Sequence, residues 1–324
     1  MHRLGDYMIV RDLFNNMVAE NIMPDNLTMV NLVSAVAEAG ALDEGRRIHG
    51  WIVRMSIEVD AFLGAALIDM YCKCGSIERA FMVFKSLTEK DVTVWTAMIT
   101  GFAFHGYGNK ALELFAEMQK HVMPNNVTLV AILTACSHSG LLDLGLKIFN
   151  TMNKNYGIQP EIKHYGCLVD LLGRSGRLAE AKDVVEKMPM KPSRSIWGTI
   201  LSACRAHGNL EMAETALTEL LKLEPEKEGG YILLSNMYAS KGNWSYSDKI
   251  RELMVRSRVK KTAGCSSLVV DGAIHNFVAA DNQHPEWRDI KYALNNLHDM
   301  MNMQQIFLRT YCNCCWKHVD SYQL

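Results

Sequence analysis

Apolar and polar positions along this chain follow a helical period that is interrupted at regular intervals. In residues 61–91, Leu63, Leu67, Met70 and Tyr71 recur at helical spacing, and so do Ile77, Ala80, Phe81, Phe84 and Leu87. Gly75 stands between the two runs, where a turn between antiparallel helices calls for a left-handed residue. The pattern predicts a helix hairpin with a longer connection to the next one. Eight glycines carry this punctuation along the chain: Gly5, Gly40, Gly75, Gly106, Gly140, Gly176, Gly208 and Gly242. Their separations are 35, 35, 31, 34, 36, 32 and 34 residues. The phrases they open are alike, as in GALDEG at Gly40, GSIERA at Gly75 and GRLAEA at Gly176. One hairpin cannot bury its own apolar face, so a period of this size predicts stacked units with a shared core. Several units close on proline and a short polar residue, Pro24-Asp25, Pro124-Asn125 and Pro192-Ser193. Proline ends the second helix, and Asp or Asn can cap the helix that follows. Function is then expected along a repeated surface rather than in one pocket.

Composition narrows the classes of partner. Of 324 residues, 49% are hydrophobic and 21% charged, which fits a folded, soluble protein. Net charge is −1, so no overall field draws the chain to nucleic acid or membrane. That argues against a duplex-DNA binder but less against single strands, where stacking and base-edge hydrogen bonds act locally. The 20 methionines point to an adaptable packed interior. Six of the nine cysteines are scattered, mostly in apolar helical stretches, with no disulfide framework, so a reducing compartment is expected. No apolar run approaches the ~18 residues of a membrane span, and no membrane partner is expected. The N-terminus MHRLGDYMIVRDLF has no signal-peptide core and reads as the middle of a repeat, which places the expected true start upstream.

The stretches ALIDMYCKCGSIERAFMVF (66–84) and TVWTAMITGFAFHGYGNKALELFAEM (93–118) closely resemble the pentatricopeptide repeat, and no unit shows the tetratricopeptide signature. Units 26–60, 61–91, 92–125, 126–161 and 162–193 have 35, 31, 34, 36 and 32 residues. They resemble the long, short and standard repeats of the plant organellar PLS subfamily, after a partial unit at 1–25. Units 194–227 and 228–260 are similar to that subfamily's degenerate E1 and E2 repeats, and residues 261–302 to its E+ segment. In the latter, Asp271-Gly272 between two β-favouring runs is a hairpin signal in its own right, followed by a helix in PEWRDIKYALNNLHDMM. Ala263 and Ser267 depart from the family's usual proline and tryptophan. The resemblance implies an all-α, right-handed superhelical solenoid of helix-turn-helix repeats ending in a short β-hairpin plus helix.

The resemblance further implies a single-stranded organellar RNA read one base per repeat. The fifth and last residues of each unit would face the base. In unit 92–125 these are Thr96 and Asn125, a pair that favours adenine in the family. Unit 61–91 supplies Ala65 and Asp91, where Asn would be usual at the first. The long units supply Val30 with Asp60 and Val130 with Glu161, and unit 162–193 supplies Gly166 with Ser193. Without the repeat context, Asn125, Asp60 and Asp91 read equally as helix caps and Thr96 as an exposed helix residue. The implied role is site selection for C-to-U editing in a mitochondrion or chloroplast, with a DYW-type deaminase or other editing factors recruited in trans through residues 194–302. Two rivals stand beside it: a scaffold whose groove holds a peptide, and a truncated, non-functional fragment.

Catalysis in this chain itself is not expected. A zinc deaminase needs H-x-E followed by C-x2-C. His284-Pro285-Glu286 does precede Cys312, Cys314 and Cys315. However, His-Pro belongs to the E+ pattern, no proline precedes Cys312, and no family-like terminal Asp-Tyr-Trp follows. Cys312, Cys314, Cys315 and His318 lack a standard zinc-ligand spacing, so no metal site is assigned, and nothing calls for a cofactor. The tail 303–324 shows no family likeness. Cys72-Lys73-Cys74 belongs to the repeat phrase and reads as packing.

Overall fold

The computed structural model describes residues 2–259, 264–270, 273–279 and 282–301. Two compact units divide it, Met1–Val259 and Lys260–Leu324. The first unit begins with α1 (His2–Ala19) and continues as seven helix hairpins. These are α2 (Asn26–Ala39) with α3 (Leu42–Arg54), α4 (Ala61–Lys73) with α5 (Ile77–Ser86), and α6 (Val92–Phe104) with α7 (Gly108–Met118). Then follow α8 (Asn126–His138) with α9 (Leu142–Tyr156), and α10 (Ile162–Arg174) with α11 (Leu178–Lys187). The last two are α12 (Arg194–His207) with α13 (Leu210–Leu223), and α14 (Glu228–Ser240) with α15 (Trp244–Arg256).

The two helices of a hairpin bury themselves differently because they sit in different layers. Each first helix packs against the first helices before and after it and against its own second helix. It therefore needs apolar residues around most of its girth. α6 buries Val94, Trp95, Met98, Ile99, Phe102 and Ala103, for example. The second helices need one stripe only: α7 buries Gly108, Ala111, Phe115 and Met118, at helical spacing. One core runs unbroken from Tyr7 to Tyr238. Met98 and Ile99 are fully buried in it, and truncating such a side chain to alanine costs about 2–5 kcal/mol.

The turns follow the glycine punctuation with one exception. Gly40, Gly75, Gly106, Gly140, Gly176, Gly208 and Gly242 all have positive φ, Gly75 at +80°, where L side chains are strained. Gly5 instead lies inside helix α1; its phrase continues a helix and makes no turn. Unit length varies mainly through the second helix, with 10 residues in α5 and α11, 11 in α7, 13 in α3 and 15 in α9.

Polar ties recur where the first helices end. His105 Nε2 bonds the Cys72 carbonyl at 2.8 Å, His138 Nδ1 the Ala103 carbonyl at 3.2 Å, and His207 Nε2 the Gly173 carbonyl at 2.9 Å. Each of these carbonyls already accepts the N–H of its turn glycine, and the imidazole N–H adds a second bond from the next unit. At two further joints the tie is ionic or charge-assisted: Lys73 to Glu38 at 2.7 Å, and Ser137 Oγ to Asp170 at 2.6 Å. The repeat-turn histidines are fasteners.

The second unit holds strands β1 (Cys265–Val270) and β2 (Ala273–Val278), antiparallel with Cys265 opposite Val278 and Val270 opposite Ala273. Asp271-Gly272, Ala263 and the tail with Cys312, Cys314, Cys315 and His318 lie outside the described residues. A helix, α16, covers residues 287–301. His284 accepts the Glu286 backbone N–H at Nδ1 (3.1 Å), and its Nε2 lies 2.8 Å from His275 Nδ1. His284 therefore helps to form the turn into α16.

Candidate nucleic-acid interface

The last residue of each unit stands at the N-cap of the next first helix, with extended backbone. Asp60 Oδ1 accepts the Leu63 N–H at 2.8 Å, and Asp91 Oδ1 accepts Thr93 and Val94 N–H at 2.9 and 3.0 Å. These donors are the unsatisfied N–H groups of a first helical turn. The Leu63 N–H holds the Asp60 carboxyl below its ordinary range, with further help from Asn26. Asn26 donates to Asp60 Oδ2 at 3.0 Å, and the equivalent Asn126 donates to Glu161 Oε1 at 2.8 Å. Asn125 caps α8 by accepting the Thr128 N–H at 2.9 Å. Ser193 takes the N-cap position of α12 without a capping bond, its Oγ lying 2.8 Å from Ser195 Oγ. The side chains expected to face a base thus stand at cap positions, where Asp60, Asp91 and Asn125 make capping bonds.

Three of the five fifth residues, Val30, Ala65 and Thr96, share a wall. A groove of about 500 Å³ runs along α2, α4, α6 and the start of α8, lined by Val30, Ala65, Thr96 and Asn125 among others. The structure therefore brings together four of the ten sequence-derived positions. Asp60, Asp91, Val130, Glu161, Gly166 and Ser193 lie outside this groove's lining. Thr96 is only 7% exposed, and its hydroxyl meets Thr128 Oγ1 at 2.7 Å. It is a nearly buried member of a hydrogen-bond chain rather than an exposed helix residue. Val130 sits one turn before Thr134, which bonds the Val130 carbonyl at 2.8 Å.

Sequence reasoning missed the residues that stand out most on the groove. Phe62 and Val127 line it and are 56% and 59% exposed. Each is the second residue of its unit's first helix, as is Leu27, also 59% exposed. Phe62 and Val127, exposed at the same place in two units with Thr93 between them, give the groove apolar flanks. The signal in the sequence was apolar residues directly after the cap, off the buried stripe. Thr93 occupies the same place in α6, and Asp69 is the groove's only charged lining residue. Its carboxylate pairs with Lys73 at 2.9 Å.

Beyond residue 193 the wall changes character. Gly198, like Gly166 in the unit before, puts no side chain at the fifth place, and a smaller hollow of about 270 Å³ there is lined by Leu201, Leu217, Leu221 and Leu233 together with Arg194, Glu224 and Lys227. Arg194 and Glu224 pair at 2.9 Å across its mouth. This surface offers no polar group at the fifth place for a base edge.

Cysteine chemistry does not enter the site. Burial pushes the Cys72 thiol up to about 12 and the Cys136 thiol up to about 11, so neither forms a thiolate near neutrality. Among the described residues no cluster of three or more metal-ligating side chains occurs, and no helix is long and apolar enough to cross a membrane.

Comparison with known families and structures places the same residues. The PPR repeat family matches residues 90–138, the PPR repeat 66–92 and 163–192, the pentatricopeptide repeat domain 120–177, and the E motif 207–269. A mitochondrial pentatricopeptide repeat-containing protein of Arabidopsis thaliana is 60% identical over 300 residues, covering 91% of this chain and 45% of that protein. A chloroplastic one from the same plant is 44% identical over 281 residues, covering 86% of this chain and 38% of its own length. The chain thus spans about half or less of these relatives. Among solved structures, the pentatricopeptide repeat protein PPR10 in complex with an 18-nucleotide RNA element superposes with a TM-score of 0.66 at 16% identity. That match covers 80% of this chain and 39% of PPR10, and it speaks for the fold.

Proposed function

The chain belongs to the pentatricopeptide repeat family and carries its E motif, and from that premise we propose that it is a single-stranded RNA-binding adaptor of a plant organelle. One observation carries the reading: Val30, Ala65, Thr96 and Asn125 line one groove with the exposed flanks Phe62 and Val127. A base entering beside Phe62 or Val127 stacks on that apolar surface while its edge reaches short polar or small side chains at the floor. Such stacking tolerates any base, and the polar groups discriminate among them. The mitochondrial and chloroplastic names of the relatives support an organellar site of action.

The finer role is site selection for C-to-U editing. The E motif at 207–269 supports it, and so does the leucine-lined hollow beside Gly198, a surface suited to a protein partner. A deaminase or another editing factor supplied in trans would dock over residues 194–302. The chain contributes recognition; the chemistry is its partner's.

The test is binding of the full chain to a library of single-stranded RNAs. Removing one stacked flank by Phe62→Ala is expected to weaken binding by about 5- to 100-fold. Unchanged RNA affinity in this variant, together with capture of an extended peptide by the same groove, would replace the adaptor with a scaffold.

A further inference from the structure

We propose that Thr128 is the positioning residue that sets the hydrogen-bond polarity of the slot formed by Thr96 and Asn125, an inference that rests on the RNA-reading role above. Thr128 is fully buried at the third place of α8 and belongs to the unit after the one whose slot it serves. Its hydroxyl has three neighbours. Asn125 Oδ1 lies at 3.0 Å, the Asn125 backbone N–H points to it at 3.2 Å, and Thr96 Oγ1 lies at 2.7 Å.

A hydroxyl has one proton and two lone pairs. The Asn125 amide oxygen only accepts and the Asn125 N–H only donates. Sending the Thr128 proton to Oδ1 leaves its two lone pairs for the Asn125 N–H and the Thr96 O–H, and all three bonds form. Sending it to Thr96 instead would leave two oxygens facing each other at 3.0 Å without a proton between them. The chain therefore runs from Thr96 to Thr128 to Asn125.

Two consequences reach the groove. Thr96 spends its proton inward and offers lone pairs alone. Asn125 Oδ1 is filled by the Thr128 N–H and O–H, and its Nδ2, with no hydrogen-bond partner among the described residues, is left to donate. The slot becomes one acceptor beside one donor. That polarity fits a base edge with an amino group next to an unprotonated ring nitrogen, as adenine and cytosine present and guanine and uracil do not.

Other joints show that the third place is what matters. Thr28 repeats the arrangement on Asp25, through N at 2.8 Å and Oγ1 at 2.6 Å. At the joints capped by Asp60 and Asp91 the third residues are Leu63 and Val94, which bring only their backbone N–H. Slots in this chain thus divide into those with a hydroxyl relay and those without.

The experiment compares RNAs that differ at one position, bound to the full chain, its Thr128→Val and Thr128→Ser variants, and Asn125→Asp. Wild type is expected to favour adenine there by ~5-fold or more over a base of opposite polarity. Thr128→Val should flatten that ratio to within ~2-fold, and Thr128→Ser should restore it. A packing role alone would lower thermal stability without moving the ratio. If Thr128→Val keeps the wild-type ratio while Asn125→Asp loses it, the relay is wrong and the RNA reading stands. If wild type shows no base dependence at any position, the RNA reading falls and the relay with it. A second measurement needs only the wild-type protein: replacing adenosine by purine riboside, which lacks the amino donor, should weaken binding. Equal binding of the two nucleosides would overturn an acceptor-only Thr96.

Discussion

His164 uses both of its ring nitrogens, which fixes its tautomer. Nδ1 accepts the Glu161 backbone N–H at 3.0 Å, so Nε2 carries the proton that reaches the Asn126 carbonyl at 3.0 Å. Burial holds its pKa below the ordinary imidazole value, against the pull of that carbonyl and of Glu161. As pH falls through the unfolded value near 6.5, the unfolded chain takes up a proton that the folded chain resists, so stability drops on acidification. The urea midpoint should fall between pH 7 and about 5.5 more steeply in wild type than in His164→Gln; parallel curves would remove His164 as the cause. At this scale four of the ten expected positions, Val30, Ala65, Thr96 and Asn125, line the groove and six do not. Thr96 and Asn125 stood out by their place in the unit, and Asp60 and Asp91 by their capping chemistry. The link from Thr96 to Thr128 was not readable, because it joins side chains of different units and depends on helix packing. Phe62 and Val127 were hidden for another reason: an apolar residue near a helix start reads as core until coordinates show it in solvent.

A first helix in this fold depends on its cap, because its N-terminal N–H groups sit at the groove's edge rather than in a ladder. Asp91 accepts two of them at the start of α6, and Ser193 accepts none at the start of α12. Asp91→Ala should therefore cost about 1 kcal/mol in chemical denaturation, and Ser193→Ala should stay within about 0.5 kcal/mol of wild type. Equal losses would show that position alone, and not the bond, matters. The hairpins themselves were plain in the chain, since glycine spacing and helical period agree at every turn from Gly40 to Gly242. Gly5 misled because a glycine one unit upstream of Gly40 copies the spacing but not the setting. α1 passes straight through it.

For the molecule as a whole, the groove's composition decides how binding responds to salt. Its lining carries one charged residue, Asp69, and no lysine or arginine, in a chain of net charge −1. Few phosphates are neutralised, so log K should fall with log salt at a slope of only about −1 to −2, and a slope beyond about −4 would place the strand on another, basic surface. Steepness here is independent of base preference, so the two readouts separate where the strand lies from how it is read.

The ties between neighbouring first helices are uneven, and this has a mechanical result. At the groove end, α2 and α4 are linked through Asn26 and Asp60, α6 and α8 through Thr96 and Thr128, and α8 and α10 through Asn126 and Glu161. Between α4 and α6 the described residues provide no such link, although His105 fastens the opposite end. That pair is a gate hung on one post, and so are α10 and α12, which His207 ties at the far end. For a strand bound as proposed, a change of spacing is expected to be taken up at these singly tied joints before the doubly tied ones.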